Sequence, residues 1–340
     1  MKFGVFLPSF LLATDEGSAG RGPAVRAFAR RAEELGFESL WITDHIVTAR
    51  QFYRVGWLDA LVTLSHVAAV TETVRLGTSI LILPLRQPAV LAKEVATLQD
   101  LSGGRYIFGV GTGWFEPEFA ACGVTKASRG ARTDEVLDAT LALLRGPGVA
   151  FHGRHYRLDG VTVEPHPATV PPVWAAGGSQ LAHAASPEAP AMHPRVLQRI
   201  TAADGWIARP TCPPQLIAAD LALIREARGA APLTVAHENF VWIEPGGRDD
   251  DIRAAQQRRF SAILSDERPW EYIDAVYLPG SVDVIQRKVQ DRIDAGVEYL
   301  MLHTLTPDLS QLDLIARHIV EPFRNAVGKR GAVPVPAVRP

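Results

Sequence analysis

Glu38-Ser-Leu-Trp-Ile-Thr-Asp44-His45 and Leu76-Gly-Thr-Ser79-Ile80-Leu-Ile-Leu83 are the two most informative stretches of the chain. Each is an apolar, strand-like run with polar or glycine chemistry at or near its end. Each also lies between segments with the apolar spacing of amphipathic helices. Before the first, Val25, Phe28, Ala29, Ala32 and Leu35 recur at helical spacing between Pro23 and Gly36. Between the two, Leu58–Val70 reads as a second helix. A strand–helix–strand alternation of this kind predicts a parallel sheet with helices packed on it.

The same alternation continues outward in both directions. Strands are expected at Lys2–Pro8, Ser39–Thr43, Val74–Leu83, Tyr106–Val110 and Val173–Ala176, around Trp206, and at Leu233–Ile243 and Val297–His303. Helices follow at Ala89–Leu101, Arg132–Leu144, Arg195–Thr201, Pro214–Ala227, Asp251–Leu264, Ser281–Ala295 and Leu309–Phe323, one more than strict alternation needs. Eight strands in an α/β pattern point to a closed (β/α)8 TIM barrel with insertions. A doubly wound sheet would carry a glycine-rich turn after its first strand, and Leu7-Pro8-Ser9-Phe10 has none. The barrel is expected as one domain over residues 1–326. Its excursions fall at about 146–172 (read as a hairpin), 179–194 and 265–280, and a loose tail is expected at 327–340.

Composition narrows the function classes. A hydrophobic content of 47% with 21% charged residues suits a globular protein with a large core. A net charge of −2 offers no basic field for nucleic acid and no polycationic face for a membrane. Two cysteines, Cys122 and Cys212, support neither a disulfide framework nor a cysteine zinc site. With no secretory h-region and no run of membrane-span length, a cytoplasmic, reduced setting is the expectation.

In a parallel barrel, reactive groups stand at the C-terminal strand tips. Asp44 and His45 occupy such a tip. Histidine is a residue type suited to moving protons, and a nearby carboxylate would hold the tautomer of His45. Neighbours in an extended segment point to opposite sides, so Asp44 and His45 need not touch. The pair also reads as a helix N-cap Asp beside a surface His. Ser79 and Ile80 read either as core or as a place where small residues let a flat ring approach the backbone. Gly111-Thr112-Gly113-Trp114 follows the fourth strand, as an anion-binding run of bare N–H groups or as a tight turn under Trp114. Gly177-Gly178-Ser179 ends the fifth strand as a phosphate cradle or a plain turn. His303 reads as a core or rim histidine. His152 and His155 have no carboxylate at ligand spacing, so no metal site is expected.

Taken together, "ARRAEELGFESLWITDH", "VRLGTSILILPLRQPAVLAKEVATLQDLSGGRYIFGVGTGW", "RTDEVLDATLALLRG", "PPVWAAGGS" and "ADGWI" resemble the bacterial luciferase-like family of flavin and deazaflavin oxidoreductases. These pieces span roughly residues 1–208 in the family's order. "VIQRKVQDRIDAGVEYLML" extends the likeness into the last third. The resemblance implies a barrel with a flavin-type ring at its C-terminal mouth. Asp44 and His45 would lie beside the ring, and Ser79-Ile80 would match a non-prolyl cis peptide behind it. Gly111–Trp114 and Gly177–Ser179 would line the cofactor tail and phosphate. Asp-His after the second strand is similar to the branch that uses coenzyme F420, whereas the reduced-FMN branch more often has Glu-His. Trp114 stands where some deazaflavin sugar-phosphate dehydrogenases carry a glutamate. The implied activity is hydride transfer between F420 and a small apolar organic substrate, with His45 moving the proton. The alternatives are a two-component monooxygenase using FMNH2 and O2, and a non-catalytic flavin-binding protein. A separate flavin or F420 reductase and a homodimer through the early barrel helices are the partners it implies.

Overall fold

The computed structural model describes residues 1–12, 20–182, 191–264 and 268–324. β1 (Lys2–Phe6) runs parallel to β3 (Ser39–Ile42), with Gly4 opposite Ser39 and Phe6 opposite Trp41. The ring continues through β5 (Arg75–Thr78), β7 (Tyr106–Gly111), β10 (Val173–Ala176), β11 (Gly205–Ala208), β12 (Thr234–Phe240) and β13 (Tyr299–His303). β13 then pairs with β1, so eight parallel strands close on themselves. This is the TIM barrel expected from the alternation.

Two further pairings decorate the barrel. β2 (Phe10–Leu12) and β4 (Val55–Trp57) form an antiparallel ribbon that the sequence reading missed. β8 (Val149–His152) and β9 (Arg157–Val161) form the hairpin inside the 146–172 excursion. The third barrel strand is not continuous over Val74–Leu83. It breaks after Thr78, and β6 (Leu81–Ile82) resumes against Val110 and Gly111.

The outer helices are α1 (Gly22–Glu34), α2 (Ala60–Ala68), α3 (Pro88–Leu101), a short α4 (Glu116–Ala121), α5 (Arg129–Arg145), α6 (Pro194–Ala202) and α7 (Pro214–Arg228). They continue with α8 (Asp249–Ile263), α9 (Trp270–Val276), α10 (Val282–Asp294) and α11 (Leu309–Ile315), before the closing α12 (Glu321–Arg324). The 265–280 stretch, expected as an irregular excursion, is therefore helical over Trp270–Val276. Pro269 caps that helix, and Trp270 meets Phe260 edge-on at 6.4 Å. The expected tail and the middle of the 179–194 excursion lie outside the described residues.

Two cores result. A large one joins the outward faces of the strands to the helices, and a smaller one fills the lumen. The lumen core contains Phe6, Trp41, Ile107, Trp174, Ile207, Tyr299 and Met301. Trp174 meets Tyr299 edge-on at 5.1 Å and Trp41 at 5.3 Å. These rings fit because small residues face them: a Cβ on Gly77 would lie 2.4 Å from the Trp41 ring. Interdigitated large and small residues make the lumen a packed plug rather than a pore. Ile80 and Ala176, both half-buried, rest on top of this plug at the C-terminal end.

Candidate active site

Along β3 and just beyond it, Trp41, Thr43 and His45 share the lumen side while Asp44 turns outward, as strand alternation requires. His45 and Thr43 line a cavity at the barrel mouth with about 440 Å³ of empty space. The His45 ring lies 4.5 Å from Trp57, 6.2 Å from Tyr53 and 6.1 Å, edge-on, from Trp114. Its Nδ1 lies 3.0 Å from Oε1 of Glu118, a fully buried residue on α4. The same oxygen accepts from the Ile46 backbone N–H at 2.7 Å, which anchors the carboxylate independently of the imidazole. Glu118 thus takes Nδ1–H and leaves Nε2 unengaged by this carboxylate. The second Glu118 oxygen is buried with no hydrogen-bond partner among the described residues.

Asp44 does not orient His45. Its Oδ2 accepts from the Ile82 N–H at 2.9 Å, and its Oδ1 accepts from Arg86 Nη2 at 2.7 Å. Burial pushes this carboxyl up from its usual range, and the Arg86 guanidinium opposes that shift. Both oxygens are committed on the outer side of the strand, to the Ile82 backbone and to Arg86. Asp44 instead pins the chain just beyond Ser79-Ile80. That peptide is cis. Gly111 lets the same segment close on β7, since a Cβ there would lie 2.7 Å from Ile80 Cδ1. Thr112, Gly113 and Trp114 are half-buried at the rim, and Trp114 meets Phe52 edge-on at 5.0 Å.

In the Gly177-Gly178-Ser179 turn, read above as a phosphate cradle or a plain turn, the Ser179 donors have a protein partner. Ser179 donates its N–H to Asp220 Oδ2 at 2.6 Å and its hydroxyl to Asp220 Oδ1 at 2.7 Å. Both donors are spent on a buried carboxylate from α7, whose charge would repel a phosphate. Gly178, at φ +115°, lies so close that an added Cβ would stand 2.6 Å from Asp220 Oδ2. Among the described residues, the next helix is α6, which begins at Pro194.

Three residues escaped the sequence reading as site groups. Glu118 carries no signal beyond an acidic residue before Phe119 on a short helix. Glu238 and His303 were readable by extending two lumen-facing series with a period of two, Ala236-Glu238-Phe240 and Tyr299-Met301-His303. Both line the same cavity as His45. Glu238 Oε1 lies 2.8 Å from His303 Nε2, and its Oε2 accepts from the Ser79 hydroxyl at 2.7 Å. The His303 ring is sandwiched between Phe6, at 3.5 Å and 16°, and Phe240, at 4.3 Å and 10°.

Known proteins share this architecture. The chain is 32% identical over 311 residues to an F420-dependent glucose-6-phosphate dehydrogenase of Kineococcus radiotolerans, covering 84% of this chain and 88% of the relative. A protein of the same name from Amycolatopsis mediterranei is 29% identical over 304 residues, covering 81% and 86%. Among solved structures, the monooxygenase RslO1 from Streptomyces bottropensis superposes with a TM-score of 0.78 at 21% identity, over 95% of this chain and all of that one. An F420-dependent secondary alcohol dehydrogenase in complex with an F420-acetone adduct superposes at 0.74 and 19% identity, over 94% and 98%. Residues 1–323 match the family profile described as luciferase-like monooxygenase, and the chain belongs to that family.

Proposed function

We propose that the protein passes a hydride between coenzyme F420 and a small organic substrate, with His45 accepting or donating the accompanying proton. The observation that carries this reading is the Glu118–His45 pair, set in an aromatic-walled cavity at the C-terminal mouth. The F420-dependent activity named for the relative at 32% identity supports the choice of cofactor.

The residues present fit a flat ring. Ile80 and Ala176 offer a half-buried apolar floor on the lumen plug, and an uncommitted acceptor, Glu118 Oε2, lies beside the imidazole. Ser79, Ile80, Gly111, Thr112, Gly113 and Trp114 would hold the ring and the start of its tail, with the Gly177-Gly178 backbone further along. When bound, the cofactor supplies the hydride acceptor or donor. His45 then needs only hydrogen-bond reach from Nε2 to a substrate oxygen. Glu118 holds the imidazole in the required tautomer and stabilises its charged form. Trp57 and Trp114 screen the ring from water.

The fold also accommodates reduced FMN, delivered by a separate reductase, in a monooxygenase reaction. Incubating the protein with each cofactor separates the two readings. Saturable F420 binding with no FMNH2-dependent oxygen uptake is expected, and oxygen uptake without F420 binding would overturn the proposal.

A homodimer through the early barrel helices belongs to the same reading. Val62 on α2 and Val90 and Leu101 on α3 are 72%, 56% and 64% exposed. Val90 and Leu101 lie about three turns apart on one face of α3.

A further inference from the structure

We infer that Glu238 and His303 anchor the substrate, and that they select an uncharged alcohol with an aromatic or aliphatic body while rejecting a sugar phosphate. The inference rests on the proposed hydride-transfer reading for the identity of the site, and it adds the substrate class.

The polar side chains lining the cavity include Thr43, His45, Glu238 and His303, and the remaining wall is mainly apolar or aromatic, including Phe10, Val55, Ile263 and Leu305. No lysine or arginine lines it among the described residues. The nearby Arg268 is buried and committed elsewhere: it donates to the Tyr277 hydroxyl at 2.6 Å, and its guanidinium lies 4.9 Å from the Tyr53 ring centroid. A phosphate needs charge-assisted donors to replace its hydration, and this cavity meets it with a carboxylate instead.

The anchor is built, not incidental. Ser79 and His303 each donate to a different oxygen of Glu238, which fixes the carboxylate plane. Phe6 and Phe240 clamp the imidazole face to face. Each Glu238 oxygen keeps lone-pair capacity for a substrate hydroxyl, across the same cavity from His45. A hydroxyl held there has a single proton, which it donates to Glu238 on binding and redirects to His45 Nε2 by rotation about its C–O bond. This pair thus reads the polar end of the substrate, and the aromatic wall reads its body.

Ligand binding to the cofactor-free protein tests this, followed by quenching of tryptophan fluorescence, since Trp57 adjoins His45. The probes are 1-phenylethanol, cyclohexanol, glucose 6-phosphate and inorganic phosphate. F420 affinity is measured separately. At least one alcohol is expected to bind more tightly than either phosphate compound. Glu238→Gln and His303→Asn should each weaken alcohol binding about tenfold or more, through loss of a charge-assisted or clamped hydrogen bond. F420 affinity should stay within about threefold in both variants. Tighter binding of either phosphate compound than of both alcohols would overturn the inference. So would no binding of any probe, or alcohol affinities within about twofold of the parent in both variants. Failure to bind F420 would instead contradict the proposed cofactor, and the alcohol-to-phosphate comparison would still decide the anchor.

Discussion

His45 and Asp44 are neighbours in sequence with separate tasks. His45 faces the cavity under the control of a residue from a distant helix, so its chemistry depends on Glu118. His45→Ala should lower kcat about 10²–10⁴-fold while F420 affinity is retained. Glu118→Gln should lower kcat in the same direction by about 10²-fold or more, because the imidazole loses the charge that fixes its tautomer. Steady-state kinetics alongside F420 titration checks both. Asp44 has a supporting role instead: it joins the Ile82 N–H to a buried guanidinium. Asp44→Ala leaves Arg86 without its partner and should cost about 3–5 kcal/mol of stability in urea unfolding. At this scale the sequence placed His45 at a strand tip, and the structure has it lining the cavity there. The sequence could not show which carboxylate serves it, because Glu118 reaches His45 only after α4 folds back over the barrel rim.

Among the elements, β12 shows how far a sequence pattern carries. Ala236, Glu238 and Phe240 face the lumen or its mouth, and His237 faces the helices, fully buried. Its Nε2 is bonded to the Arg209 carbonyl at 3.1 Å. Burial, reinforced by the Arg292 charge, holds the His237 pKa well below its ordinary value. The folded protein therefore binds this proton less readily than the unfolded chain. Stability from His237 is present above the unfolded pKa of about 6.5 and is lost as pH falls through the window below it, by up to about 1.4 kcal/mol per pH unit. Calorimetric melting at pH 7.5 and 5.5 should show that loss, and His237→Gln should flatten it. Strand existence and face were legible from alternation, whereas local breaks were not. The run from Val74 to Leu83 reads as one strand because every position after Arg75 is compatible with burial. The break at Ser79-Ile80 depends on β6 finding Val110 and Gly111, a long-range pairing. The β2–β4 ribbon was hidden for the same reason, since strands of three residues carry too little periodicity to register.

For the whole molecule, barrel closure places His45, Glu238 and His303, from three separate strand ends, around one cavity. The glycines opposite Trp41 let the lumen fill completely, and this plug gives the mouth a firm floor. Eight alternating strand patterns were enough to anticipate the closure. The sequence could not show that Ser179 bonds Asp220, because that partner comes from a helix far along the chain. The proposed homodimer is tested on the outer surface: if it forms through the exposed faces of α2 and α3, Leu101→Glu should give a monomer in light scattering where the parent gives a dimer, without changing its melting temperature appreciably. The most direct test of the central claim is a crystal structure of the protein soaked with F420. The account predicts the deazaflavin ring on Ile80 and Ala176 at the C-terminal mouth, with His45 bordering the space above its reactive face. Electron density for the ring at the opposite end of the barrel, for example between α7 and β12, would contradict it.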